Sequence, residues 1–207
     1  MQSSKSVLRV VCLVTVAAML SAVAASAASA SPVWEFNGTV LVGSEAVSGS
    51  ALSSSFTIPG ATTSCANVQL LMKIVNVAGA GKGEVIEFPL SGCTAGPSCT
   101  VNSIEAERLP WPAHAVTVAG KNYVVIEKIQ IGILYGGALC ALAGSPVTIK
   151  GTAGGLYENS TSTLIFNKAS FTATGTALKV GASAIEWDAI FPMEAFGAHS
   201  GEALEIS

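Results

Sequence analysis

Two histidines are the residues best suited to acid–base or metal chemistry in this chain. His114 lies in the middle of the sequence, and His199 lies near its carboxyl end, close to Glu202. An imidazole paired with the carboxylate of Glu202, Glu194 or Asp188 could transfer protons or bind a metal ion. No metal-binding or catalytic motif surrounds either histidine. The sequence therefore predicts no metal site, no cofactor and no catalytic residue, and both histidines remain candidates for a functional loop.

Paired carboxylates are a second source of chemistry. Glycoside hydrolysis uses two of them, and the chain offers Glu105 with Glu107 and Glu186 with Asp188. Residues two apart in a strand point to the same face, which is commonly the solvent face. A secreted hydrolase that uses carboxylates or a histidine–carboxylate pair is therefore kept as an alternative.

The segment Leu109-Pro110-Trp111-Pro112 is a third candidate. Its prolines predict that it lies outside any central strand. An ordered loop of this kind could present Trp111 and His114 to a protein partner as a rigid anchor. This would suit an inhibitor or toxin-like factor. A turn that packs Trp111 onto the core is the other interpretation.

These candidates need a scaffold, and the cysteines indicate how it is stabilised. Beyond Cys12, four cysteines remain: Cys65, Cys93, Cys99 and Cys140. An even number in an exported chain predicts two disulfides. We favour Cys93–Cys99 with Cys65–Cys140, because the turn-rich residues 94–98 can bring the first pair together. Loop-closure entropy does not distinguish this from Cys65–Cys93 with Cys99–Cys140.

The amino-terminal residues resemble a secretory signal peptide. Lys5 and Arg9 precede an apolar run over 10–24, and small residues follow up to Ala30. This order predicts cleavage near Ala30, with Ala27 as the alternative site. The apolar run is shorter than the roughly 20 residues of a spanning helix, so an uncleaved anchor is less favoured. We predict a signal peptide at 1–30 and a single secreted β domain at 31–207.

Charge excludes one class of partner. Loss of Lys5 and Arg9 would leave eight basic residues against 13 acidic ones. A chain with this balance and no basic run does not suit nucleic acid or an anionic membrane surface. A cell-envelope or protein partner remains compatible with the composition.

Many short segments alternate between apolar and polar residues and are separated by Gly, Ser, Asn and Pro. The alternation is clearest over 184–191, and strands are also predicted at 51–58 and 169–174. A short helix is expected only between Pro192 and Ala203. Similar Ala-Gly turns at 78–79 and 119–120 predict two hairpin tips. The chain is therefore predicted to be all-β, a disulfide-stabilised sandwich or barrel of short antiparallel strands.

The segment from Ile131 to Gly144 is almost wholly apolar and leaves two interpretations open. Its length is compatible with membrane insertion. Gln130, the Gly136-Gly137 pair and Cys140 favour buried strands that meet at a bend.

Several short motifs occur in an order that resembles a known group. They are Trp34-x-x-Asn37-Gly38, the lone Cys65, Gly92-Cys93 with Cys99, and Leu109-Pro110-Trp111. In this order they are similar to uncharacterised secreted β-rich proteins of soil actinobacteria. The resemblance implies a bacterial origin, an extracytoplasmic location and a disulfide-stabilised β domain. It implies no activity and no catalytic residue.

Taken together, these features predict a secreted or cell-surface β domain that acts without enzymatic activity, as a binding or structural module. The hydrolase and the inhibitor or toxin-like factor are the alternatives.

Overall fold

The computed structural model describes residues 31–96, 98–144 and 146–207. The predicted signal peptide at 1–30 lies outside the described residues. The described chain is built mainly of strands, which are β1 (Trp34–Phe36), β2 (Thr39–Val40), β3 (Ser44–Ala51), β4 (Ser54–Ile58), β5 (Ala61–Val77), β6 (Ala80–Glu87), β7 (Leu90–Gly96), β8 (Thr100–Ala106), β9 (Trp111–Val118), β10 (Lys121–Gly136), β11 (Pro146–Glu158), β12 (Thr163–Phe166), β13 (Leu178–Val180), β14 (Ser183–Ala195) and β15 (Leu204–Ile206). A helix, α1 (Lys168–Thr174), joins β12 to β13.

Twelve of the strands form one antiparallel sheet that closes on itself. Around the circuit, β5 pairs with β6, β6 with β9, β9 with β10, and β10 with β11. From there β11 pairs with β12, β12 with β14, β14 with β3, and β3 with β5 again. The predicted all-β, disulfide-stabilised fold is confirmed, and its architecture is the barrel rather than the sandwich.

Alternation along the strands explains why one face of the sheet turns inward. In β14, Ile185, Trp187, Ala189 and Phe191 are buried, while Glu186 and Asp188 are exposed. The same alternation places Leu70, Met72 and Ile74 of β5 in the core. Since successive side chains of a strand point to opposite faces, each strand contributes one apolar row to the interior.

The two Ala-Gly turns form the predicted hairpin tips. Ala78-Gly79 joins β5 to β6, and Ala119-Gly120 joins β9 to β10. All four residues have positive φ, between 50° and 74°. Positive φ at both turn residues defines the type I′ turn, whose twist matches that of the flanking strands.

Aromatic side chains fill the interior. Trp187 stacks on Phe166 with ring centroids 4.1 Å apart and contacts Phe56 at 5.5 Å and Phe88 at 5.8 Å. Its indole N–H donates a hydrogen bond of 2.8 Å to the hydroxyl of Ser54, so the buried polar atom has a partner.

The three-stranded sheet β2-β1-β15 covers one end of the barrel. Tyr157 of β11 donates its hydroxyl proton to the carbonyl of Leu204, and Asn122 of β10 donates to the carbonyl of Ile206. Trp34 donates from its indole to the carbonyl of Lys82. Side-chain hydrogen bonds therefore fasten this sheet to the barrel.

The strand predicted at 169–174 is wrong, because this segment forms α1. Asn167 caps the helix by accepting from the backbone N–H of Ser170, whose hydroxyl accepts in return from the N–H of Asn167. Gly175 ends it in the left-handed conformation. The short helix expected between Pro192 and Ala203 is instead the end of β14 followed by a 3₁₀ turn at Gly197–His199.

The first part of the apolar segment, up to Gly136, is the second half of β10, and residues 137–144 form the turns that follow. Ile131, Ile133 and Tyr135 are buried within the barrel, whereas Leu139 is exposed. The buried-strand interpretation therefore holds for 131–136 only. Over the described residues, no helix combines the length and the apolar character that crossing a membrane requires.

The four cysteines form two disulfides, as predicted, but the favoured pairing is wrong. Cys65 bonds Cys93, and Cys99 bonds Cys140. Cys65 and Cys93 are directly opposite each other in the β5–β7 register, and strand pairing therefore brings them together. Cys99 lies just before β8 and meets Cys140 in the loop after β10. Two disulfides indicate folding in an oxidising environment.

Candidate functional site

His114 lies on the outer face of the barrel wall. It belongs to β9, where its neighbours across the sheet are Lys82 of β6 and Val125 of β10. Its Nδ1 is 3.6 Å from the carboxylate of Glu127, and its side chain is 27% exposed. Burial lowers the pKa of His114; the carboxylate of Glu127 opposes this shift and the ammonium of Lys82 adds to it. The imidazole is therefore mostly neutral at neutral pH.

His199 lies elsewhere, in the 3₁₀ turn next to the three-stranded sheet. Its ring stacks on the buried ring of Phe36, with centroids 4.3 Å apart and an interplanar angle of 8°. Its Nδ1 is 3.0 Å from a carboxylate oxygen of Glu202. The predicted proximity of His199 and Glu202 thus exists, and the pair fastens the chain end against Phe36.

The histidines and acidic residues do not converge. Within the described ranges, no three side chains of His, Cys, Asp or Glu come close enough to hold a metal ion. His114 has Glu127 as its acidic partner rather than Glu194 or Asp188.

Trp111 is not displayed on a loop. It is 1% exposed, begins β9, and donates its indole proton to the carbonyl of Glu107 at 2.8 Å. The prediction that this segment lies outside any central strand is also wrong, because Pro112 pairs with Glu84 of β6. The pairing of β9 with β10 begins only at Ala113. Pro112 therefore occupies the end of the strand, where a missing N–H is tolerated.

The two members of each carboxylate pair lie in different surroundings. Glu186 forms an exposed ion pair of 3.2 Å with Lys168 of α1, whereas Asp188, two residues on, points into another surface groove. Glu107 lies beyond the end of β8 and accepts a hydrogen bond from the amide of Gln130, while Glu105 is exposed on β8. Neither pair faces a shared cleft.

A groove with a volume of about 570 Å³ lies on the outer face of β4, β5 and β14. We call it the serine groove; its lining residues are Ser50, Leu52, Ser53, Ser54, Ser55, Ser64, Asp188, Ala189, Ile190 and Pro192. The register places Asp188 opposite Ser55, and Ser55 opposite Ser64. Three neighbouring strands thus align one carboxylate and two hydroxyls in a row.

The groove exists because the sheet is interrupted between β3 and β4. β3 pairs with β14 at Met193–Ala195, and β4 pairs with it at Glu186–Ala189. The link between them carries Leu52, which is 88% exposed, and Ile190 on the opposite side is 56% exposed. Apolar side chains therefore flank the polar row.

Sequence reasoning missed this site. It predicted a single strand over 51–58 and so overlooked the break at Leu52-Ser53. The run Ser53-Ser54-Ser55 next to an exposed leucine was the available signal, but only the strand register shows that Ser64 and Asp188 join it.

Comparison of the chain with protein-family models, with curated proteins and with solved structures found no match. Fold and site therefore define the class: a disulfide-stabilised, closed antiparallel β domain with a filled interior and an external groove. The resemblance to secreted actinobacterial proteins remains a prediction from the sequence.

Proposed function

We propose that this protein is a non-enzymatic binding module of the extracytoplasmic space, and that it holds a hydroxyl-rich ligand, a cell-envelope polysaccharide, in the serine groove. The observation that carries this proposal is the row of Asp188, Ser55 and Ser64 across three strands, in the groove bordered by Leu52 and Ile190.

The chemistry of the row suits sugars. A serine hydroxyl both donates and accepts hydrogen bonds, and an ionised carboxylate accepts several. Sugar hydroxyls supply the matching donors and acceptors, while their C–H faces are apolar. Leu52, Ile190 and Pro192 give those faces something to pack against. A few placed polar groups within an apolar border are typical of small-ligand sites.

A disulfide and a hydrogen bond from the core stabilise the strands that form the groove. Ser64 adjoins Cys65, and Thr94, opposite Ser64, adjoins Cys93, so the disulfide lies directly beside the polar row. Ser54 is fastened from inside by the indole of Trp187. Because the groups are held in place before a ligand arrives, little conformational entropy is lost on binding.

Co-sedimentation of the oxidised, secreted protein with purified insoluble cell-wall polysaccharide tests this proposal. Asp188→Asn and Ser64→Ala should each weaken binding by about tenfold, since each removes a hydrogen bond to the ligand. Glu194→Gln is the matched control, because Glu194 is exposed on the same strand but does not line the groove. Binding by all three variants that equals binding by the wild type would contradict the proposal. Release of soluble sugar fragments would instead favour the hydrolase.

A further inference from the structure

The barrel wall has an open seam between β7 and β8. The chain runs from β6 into β7 and from β8 into β9, and β6 pairs with β9 from Lys82↔His114 to Val85↔Trp111. Continued along the chain, this register would place Gly92 opposite Ile104. Yet among the described residues β7 pairs only with β5, and β8 pairs only with β10. Each strand therefore has an edge without a strand partner.

The core is partly uncovered along this seam. Leu90, Ala95, Val101, Ile104 and Leu109 pack against the core but are only partly buried. Inward-facing residues elsewhere in the wall, such as those in the middle of β5 and β10, are fully buried. A groove of about 410 Å³ lies where β7 begins and β8 ends, with Phe88, Leu90, Ile104 and Leu109 in its lining.

The disulfides tie the two sides of the seam to different neighbours. Cys93 of β7 is bonded to Cys65 of β5, and Cys99, just before β8, is bonded to Cys140 beyond β10. A Cys93–Cys99 bond would have joined β7 to the start of β8. The observed pairing leaves the two strands without a covalent link across the seam.

The charges at the seam indicate what fits there. Glu87 and Glu105 are the charged residues that line the groove, and both are exposed. An added strand would place alternate side chains towards the core and towards solvent. Apolar side chains would cover Leu90 and Ile104, and basic side chains on the other face would meet the two carboxylates.

We propose that the seam between β7 and β8 is a docking site for an extended segment of a partner protein, which adds as a strand and alternates apolar residues with polar ones that include lysine or arginine. Backbone hydrogen bonds to an exposed sheet edge supply affinity in this binding mode, and the side-chain pockets supply selectivity. The seam is a different surface from the serine groove, so this proposal does not depend on the polysaccharide ligand.

A fluorescently labelled synthetic peptide of alternating valine and threonine with lysine at each end is the probe. It is titrated into the oxidised, secreted protein and followed by anisotropy, and hydrogen exchange is measured with and without peptide. Saturable binding should slow exchange of amides in 90–96 and 100–106. A control peptide of the same length, in which proline replaces each threonine, should not bind, because it lacks the required N–H groups.

Two variants separate the seam from the rest of the surface. Ile104→Asn should weaken peptide binding by about tenfold through lost apolar contact. Glu105→Lys changes an exposed side chain and should not disturb folding; it should weaken binding by about two- to fivefold. Glu194→Lys makes the same charge change on β14 and should leave binding unchanged.

Three results would overturn the proposal. They are no binding of the alternating peptide, equal binding by wild type and both seam variants, and amides of both strands that already exchange slowly in the free monomer. Protection that rises with protein concentration alone would show that a second copy of the chain occupies the seam.

Discussion

Removing cysteines in chosen pairs tests the covalent framework. The Cys65–Cys93 bond closes a loop with a sequence separation of 28, and the Cys99–Cys140 bond one with a separation of 41. In the chain-entropy model these bonds stabilise the folded state by about 3.6 and about 3.9 kcal/mol. The free energy of unfolding of the double variant Cys65→Ala/Cys93→Ala should therefore be lower by about 3.6 kcal/mol. For a domain of this size, that lowers the Tm by roughly 7 to 14 °C.

The contrasting double variant is Cys93→Ala/Cys99→Ala, which removes one partner from each bond. It should contain two free thiols, Cys65 and Cys140. Its free energy of unfolding should be lower than that of the wild type by about 7.5 kcal/mol. The first variant should contain no free thiol. Thiol alkylation under denaturing, non-reducing conditions followed by intact mass measurement counts the thiols, and denaturant unfolding gives the free energies.

The refuting result is specific. If Cys93 were bonded to Cys99, the Cys93→Ala/Cys99→Ala variant would contain no free thiol and would lose only about 2 kcal/mol, because the closed loop is short. That outcome would also remove the reason for an open seam between β7 and β8.

Three further predictions concern the described residues. Ser54→Ala should lower the free energy of unfolding by about 1–3 kcal/mol in urea titrations, because it leaves the buried indole N–H of Trp187 without an acceptor; an unchanged midpoint would contradict this. Because burial lowers the pKa of His114, its unfolded form takes up a proton first, and stability should fall as the pH drops through 6.5 towards the folded-state pKa. His114→Gln should remove that part of the decline when unfolding is followed from pH 8 to pH 4, and an identical profile would count against it. Asn167→Ala should cost about 1 kcal/mol through loss of the helix cap, as measured by thermal unfolding, whereas Asn167→Asp should keep most of it.

Much of the fold could be predicted from local sequence. Alternation of apolar residues identified β14, because a period of two is characteristic of a half-buried strand whatever its partners are. The Ala-Gly turns were recognisable because their glycines permit the positive φ of a tight hairpin. The helix α1 was missed because β-branched and aromatic residues favour strands, and the capping by Asn167 and Ser170 outweighed that preference.

Much less of the candidate sites could be predicted from the sequence. His199 and Glu202 are near each other in sequence and do meet, but His114 pairs with Glu127, which lies on the neighbouring strand. The serine groove and the seam depend on which strands pair and where pairing stops. Neither property is encoded within a short stretch of residues.

The sequence by itself determined an even set of four cysteines after the predicted signal peptide, a strand-rich chain and the alternation of apolar and polar residues over 184–191. These follow from residue type and local periodicity. Only the tertiary structure decided that Cys65 meets Cys93 and that Cys99 meets Cys140. The physical reason is register: antiparallel pairing of β5 with β7 places two distant sulfurs side by side, and β7 continues past Cys93 to Gly96 instead of turning back towards Cys99.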